Sequence, residues 1–183
     1  MATEISMPKL SDTMIEGQLG AWHKSVGERI ERGDIIAEVE PVLRAMFPTY
    51  FHIGKIGDGG RAKLAVNLIL GLNRLAVAEG LVFAERLGLD PEAFLKVARS
   101  SAAYSQVMDV KGAKMIQGEF TAEGRIAQHL KDVHLMLEQA ERVRQQLPLL
   151  EIHADVLEAC VRHGEAELDN SAVIKEIRRR TRP

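Results

Sequence analysis

The chain is predicted to be mainly α, an all-helical domain preceded by a small β unit, and three observations carry that expectation. Beyond Gly60, Leu64, Leu68, Leu72, Leu75, Val82 and Phe83 recur at the three- and four-residue spacing of one helix face. Before Glu40, short apolar stretches alternate with the turn signals Ser11-Asp12, Glu16-Gly17, Val26-Gly27 and Arg32-Gly33-Asp34. Between them Pro41 breaks the pattern, and Tyr50-Phe51-His52-Ile53 gives one β-prone run that ends at Gly54. The expected organisation is a β unit over 1–40, a linker over 41–54 and a helical domain over 55–183.

In the β unit, Leu19, Trp22, Val26, Ile30, Ile35, Ile36 and Val39 are the expected buried face, and Gly17 and Gly33 supply the positive φ that turns demand. The first helix runs to Gly88, a suitable C-cap. Asp90-Pro91 restarts the chain with a cap residue and a proline at the first helical position, predicting a second helix to about Ser100. A third is expected from about Ser105 to Ile116, ended by Gly118. Thr121 is the expected cap of a fourth, carrying Ile126, Leu130, Val133, Leu137 and Ala140 and terminated by Pro148. A fifth spans about Leu150–Arg162, and a short last helix follows Asp169.

Composition narrows the function classes. With 183 residues, 46% of them hydrophobic, the chain can bury a core as an ordinary soluble domain with an appendage. The 24 basic residues against 26 acidic ones argue against a nucleic-acid binder, which needs an excess of positive surface. The dense run Arg178-Arg179-Arg180 with Arg182 reads as a solvated helix end at the negative pole of the dipole. A single cysteine, Cys160, excludes an internal disulfide. No signal-peptide stretch is evident and no uncharged apolar run reaches the length of a membrane span, so a cytoplasmic protein without membrane partners is expected. The histidines His23, His52, His129, His134, His153 and His163 show no metal-ligand spacing, so no metal site is expected, and Met7, Met14, Met46, Met108, Met115 and Met136 read as core fillers.

The strongest chemical constellation is Gly54-x-x-Gly57-x-Gly59 running into a helix that bears Lys63 and Asn67. Four residues apart, an ammonium and an amide project from one helix face beside a glycine-rich approach, an arrangement able to bind a hydroxy acid. From the residues alone, a solvated face is the commoner use of such a pair. Asn67 lies among Leu64, Val66, Leu68 and Ile69, where an amide of poor helix propensity costs stability unless it is used. The lysine followed by serine or threonine of a phosphate loop is absent.

The run Gly54-Lys-Ile-Gly57-Asp-Gly59-Gly-Arg-Ala-Lys63-Leu-Ala-Val-Asn67 is similar to the interdomain signature of the β-hydroxyacid dehydrogenases, the 3-hydroxyisobutyrate dehydrogenase and tartronate semialdehyde reductase group. The likeness continues through Ala78-Glu79-Gly80, Leu87-Gly88-Leu89-Asp90-Pro91, His129-Leu130-Lys131-Asp132 and Leu168-Asp169-Asn170-Ser171-Ala172, covering about residues 41–177. The resemblance implies an NAD- or NADP-dependent oxidoreductase that interconverts a small 3-hydroxy acid and its semialdehyde. It implies Lys63 as the catalytic residue, Asn67 and Gly59 at the substrate and Lys131 reaching the cofactor. Burial would bring the lysine amine toward neutrality for that role. This sequence departs from the family at Val66, Ala122 and Gly124, where an asparagine, a proline and an aromatic residue are usual.

Residues 1–40, with Met7-Pro8-Lys9-Leu10-Ser11-Asp12-Thr13-Met14, Trp22 and Gly33-Asp34, resemble the first half of a lipoyl domain. Pro41-Val42-Leu43 follows where that family places its modified lysine, so no lipoylation site is carried over, and so small a half-unit is not expected to be stable alone. The family's N-terminal Rossmann domain has no counterpart in these residues, which implies that the chain is inactive alone and needs a separate nucleotide-binding chain. The rival expectations are a non-catalytic assembly module, dimerising through half-lipoyl units and apolar long helices, and an artificial or mis-joined fusion at Glu40-Pro41.

Overall fold

The structure, a computed structural model, describes residues 57–181 throughout and, upstream, residues 21–25, 28–29, 31, 37–38, 51 and 53–55. Contacts divide the chain into residues 1–59 and 60–183. In the first unit β1 (Ala21–Trp22) pairs antiparallel with β2 (Ala37–Glu38), in the register Ala21 to Glu38 and Trp22 to Ala37. Most of the expected half-lipoyl unit, and the linker up to Tyr50, lie outside the described residues.

The second unit is all helical, as its periodicity predicts. Its elements are α1 (Asp58–Arg86), α2 (Pro91–Arg99), α3 (Gln106–Gln117), α4 (Ile126–Arg142), α5 (Pro148–Arg162), a 3₁₀ turn (Asn170–Ala172) and α6 (Val173–Arg179). Leu81, Met115, Ile126, Val133, Leu150, Leu157, Val173 and Ile174, each almost fully buried, form its core. Met108, Met115 and Met136 are core fillers as expected, and Cys160 is buried with its thiol pushed up to about 12 by burial and the nearby Glu165 and Glu176 carboxylates.

Two helix ends follow the local signals. Asp90 accepts the Ala93 N–H at 2.8 Å and Pro91 opens α2. Gly118, at φ 72°, caps α3 in the left-handed region.

The fourth helix departs from expectation at both ends. Thr121 does not cap it: it lies four residues before the N-cap position, and its hydroxyl and N–H both donate to the Glu119 carboxylate. The helix opens instead at Ile126, where Ile126 N–H donates to Leu168 C=O at 3.0 Å and Ala127 N–H to Ala166 C=O at 2.9 Å. Those carbonyls take donors that a helix start leaves without partners, so no side-chain cap is needed. It ends at Arg142, and Arg144 turns the chain at φ 58°. Pro148 therefore opens α5 rather than closing α4.

The C-terminal arginines are likewise not a merely solvated end. Arg178 grips Glu85 of α1 through Nε at 3.1 Å and Nη2 at 2.6 Å, Arg179 holds Glu165 through two nitrogens at 2.9 Å, and Arg180 meets Glu176 at 3.0 Å. The pairs tie α6 to the end of α1 and to the turn before Asp169.

By length and composition alone α1 is long and apolar enough to cross a membrane, although Arg74 interrupts its uncharged run as the sequence indicates. Arg74 is the one charge between Leu64 and Ala78, and it is buried, as are Leu75, Val77, Ala78 and Leu81, so the second half of this stretch packs into the core while Val66, Ile69 and Leu70 stay exposed.

Candidate functional site

One stripe of α1 carries the candidate chemistry. Lys63, Asn67, Gly71 and Arg74 follow one another at spacings of four, four and three, the interval that stacks side chains on a single helix face. Exposure falls along it: Lys63 is exposed, Asn67 half-buried, and Gly71 and Arg74 buried. Among the described residues, neither Lys63 nor Asn67 makes a side-chain hydrogen bond or ion pair within the protein, so both are free for a ligand. Gly59 occupies the first turn of α1 and is exposed; Gly54 and Gly57 before it adopt φ of 152° and 96°, which suit glycine.

Lys131 is exposed on α4 and also lacks a protein partner. It lies two residues beyond His129, roughly 200° further round the helix, so it does not share the side of α4 that meets α1. The structure thus brings Lys63 and Asn67 together on α1 and does not join Lys131 to them by any direct contact.

The stripe ends in a buried polar junction that spacing alone gave no reason to assemble. Gly71 admits two imidazoles against the α1 backbone, His129 of α4 and His153 of α5, whose ring centroids lie 5.1 Å apart. His134, five residues after His129, leaves this face and is exposed beside Glu158 at 3.2 Å. Burial, then the Arg74 charge and His153, push His129 down to about 3; burial and Arg74 push His153 down to about 4. Arg74 itself falls to about 10 through burial, opposed by the Asp169 carboxylate, and stays cationic at neutral pH.

A second missed centre fixes the start of α4. The Asp169 carboxylate, fully buried, accepts Lys111 Nζ at 3.0 Å, Glu123 N–H at 3.0 Å, and Ser171 N–H and hydroxyl at 3.0 and 2.6 Å. Burial pushes this carboxyl up, but the Ser171, Glu123 and Lys111 hydrogen bonds outweigh it and hold it well below the usual range. Asp169-Asn170-Ser171 was visible as a family motif, but its partner at Lys111, 58 positions away, has no sequence signal.

The class is first that of an all-α helical domain, which presents a lysine and an amide on one face of α1. Residues 57–177, more than half the chain, match the family described as NAD-binding of NADP-dependent 3-hydroxyisobutyrate dehydrogenase, and the chain belongs to that family.

It is 29% identical over 162 residues to 2-hydroxy-3-oxopropionate reductase of Escherichia coli, covering 88% of this chain and 56% of the relative. That share exceeds what residues 41–183 hold, so the likeness reaches upstream of residue 41. It is 31% identical over 142 residues to 2-(hydroxymethyl)glutarate dehydrogenase of Eubacterium barkeri, covering 77% of this chain and 47% of the relative. Among solved structures, 3-hydroxyisobutyrate dehydrogenase of Salmonella typhimurium superposes with a TM-score of 0.71 at 26% identity, over 74% of this chain and 48% of that one. A Mycobacterium tuberculosis 3-hydroxyisobutyrate dehydrogenase, solved with L-serine, gives 0.67 at 28% identity over 75% and 50%. The chain spans about half the length of the relatives it matches.

The family implies a nicotinamide cofactor. Within residues 57–181 there is no strand–glycine–helix unit to cradle a pyrophosphate, so these residues by themselves do not hold the whole cofactor.

Proposed function

We propose that the helical domain supplies the substrate side of an NAD(P)-dependent oxidoreductase interconverting a small 3-hydroxy acid and its semialdehyde. The observation that carries this reading is the pairing of Lys63 and Asn67 on one face of α1, both without protein partners. Lys63 gives a proton to the aldehyde oxygen in reduction and takes the hydroxyl proton in oxidation, Asn67 orients the substrate, the backbone at Gly59 approaches it, and Lys131 reaches the cofactor. The cofactor, NAD or NADP, supplies hydride. Lys63 becomes enclosed when a nucleotide-binding domain covers it, and hydride transfer needs such a domain beside residues 57–181, in a cytoplasmic enzyme.

The test joins the nucleotide-binding domain of the Escherichia coli reductase to residue 57 and follows NADH or NADPH oxidation with tartronate or methylmalonate semialdehyde. Turnover by the chimera, absent in the unjoined chain, supports the reading. A folded chimera that binds NADH yet reduces neither aldehyde overturns it.

A second reading, a homodimeric assembly module, is favoured by Val66, Ile69 and Leu70, which stay 61%, 59% and 44% exposed on successive turns of α1. Light scattering that returns the monomer mass at micromolar concentration removes it.

A further inference from the structure

Arg74 lies in the interior with 4% of its surface exposed, and its Nε and Nη1 have no hydrogen-bond partner. Among the described residues, His129 Nε2 and both ring nitrogens of His153 are also buried and unpartnered, His153 fully enclosed and His129 nearly so. A buried polar group without a partner is destabilising, and a charged one more so. Gly71, three residues before Arg74 on the same face of α1, lies against both rings, so the orphaned atoms fall in one region and point to one missing partner.

The chemistry of that partner follows from the atoms. A neutral imidazole carries one donor and one acceptor, and a guanidinium carries donors only. In either tautomer His153 leaves one donor and one acceptor open; Arg74 adds two donors, and His129 adds one more when Nε2 bears its proton. Donors therefore exceed acceptors.

The charges lean the same way. Arg74 and Lys111 are buried cations, whereas the single fully buried carboxylate near them, Asp169, already accepts from Lys111, Ser171, Glu123 and Gly124. Size is bounded on the α1 side, because a Cβ at Gly71 would stand within 2.7 and 2.8 Å of the two rings. There is no room there for an extended ligand.

We infer that Arg74, His129 and His153 form an internal binding site for a small inorganic anion of chloride size, held between α1, α4 and α5. The ion accepts from the guanidinium and from imidazole N–H groups, and it fastens the long helix to the α4–α5 pair. The site is independent of the hydride-transfer reading, since it lies at the closed end of the stripe and touches neither Lys63 nor Asn67.

The test measures thermal unfolding of the full chain at pH 7.5 and fixed ionic strength while sodium gluconate, too bulky to enter, is replaced by sodium chloride or bromide. A saturable rise of a few degrees with either halide, absent in Arg74→Met, is expected. Equal midpoints in gluconate and chloride, or the same rise in the variant, overturn the site. Because Arg74→Met could fail to fold, a bromide-soaked crystal of the unaltered chain decides independently. An anomalous peak within hydrogen-bond range of Arg74 and an imidazole sustains the inference. A water molecule alone in that place, or Arg74 turned onto the unpartnered Asn170 Oδ1, ends it.

Discussion

Gly71 sets how closely α1 approaches His129: a Cβ built at that glycine would stand 2.8 Å from His129 Nε2 and 2.7 Å from Cε1 of His153. Gly71→Ala is therefore expected to destabilise. Overpacking costs typically 1–3 kcal/mol, whereas replacing a mid-helix glycine by alanine returns roughly 1 kcal/mol. The rings are flat and enclosed and cannot swing away cheaply, so a net loss of about 1 kcal/mol is expected, read as a lower urea midpoint. A raised midpoint would mean that the three helices separate freely.

The same junction makes stability sensitive to mild acid. Both histidines have folded values pushed below the ordinary 6.5, to about 3 and about 4, so the unfolded chain binds protons first as the pH falls. Stability is then fully present above pH 6.5 and is lost progressively below it, before the depressed carboxyls of Asp169 and Glu165 contribute near pH 4. Between pH 6.5 and 5 the two sites together weaken folding by on the order of 2–4 kcal/mol. Urea titrations at pH 7.5 and 5 check this. The double variant His129→Gln, His153→Gln is expected to flatten that window and leave the drop below pH 4 intact.

The helical architecture was legible because α1, α2 and α3 obey local rules: apolar spacing, Asp90-Pro91 and Gly118 each act on neighbours in sequence. The α4 boundaries were not, because the carbonyls that cap Ile126 and Ala127 come from residues 166–168, brought near only by folding. Lys63 and Asn67 could be paired from spacing alone since they share one helix. Arg74, His129 and His153 come from three helices, and each looked ordinary in its own. The nearest local hint was Gly71, a residue costly inside a helix and placed between Asn67 and Arg74 on one face.

Asp169 is the electrostatic fastening of the α4 start, and removing it strands Lys111. Asp169→Ala is expected to cost about 3–5 kcal/mol, the range for breaking a buried pair by deleting one partner. Replacing Asp169 and Lys111 together by apolar residues should cost less than the sum, because no lone buried charge is left. A double-mutant cycle by urea unfolding reads the coupling. Additive losses would show that Glu123, which also holds Lys111 at 2.8 Å, carries the lysine by itself.

Lys63 and Lys131 are both exposed and unpartnered, so substituting either should leave stability within about 0.5 kcal/mol while affecting the proposed reaction differently. In the chimera carrying a nucleotide-binding domain, Lys63→Met removes the proton donor and is expected to lower kcat by roughly 10²–10⁴-fold with little change in cofactor KM. Lys131→Met removes a contact made equally before and during hydride transfer, so it should raise the cofactor KM and leave kcat nearly unchanged. Steady-state kinetics with NADH and NADPH separate the two. If Lys63→Met behaves like Lys131→Met, the lysine on α1 binds substrate without moving a proton, and another group must supply it.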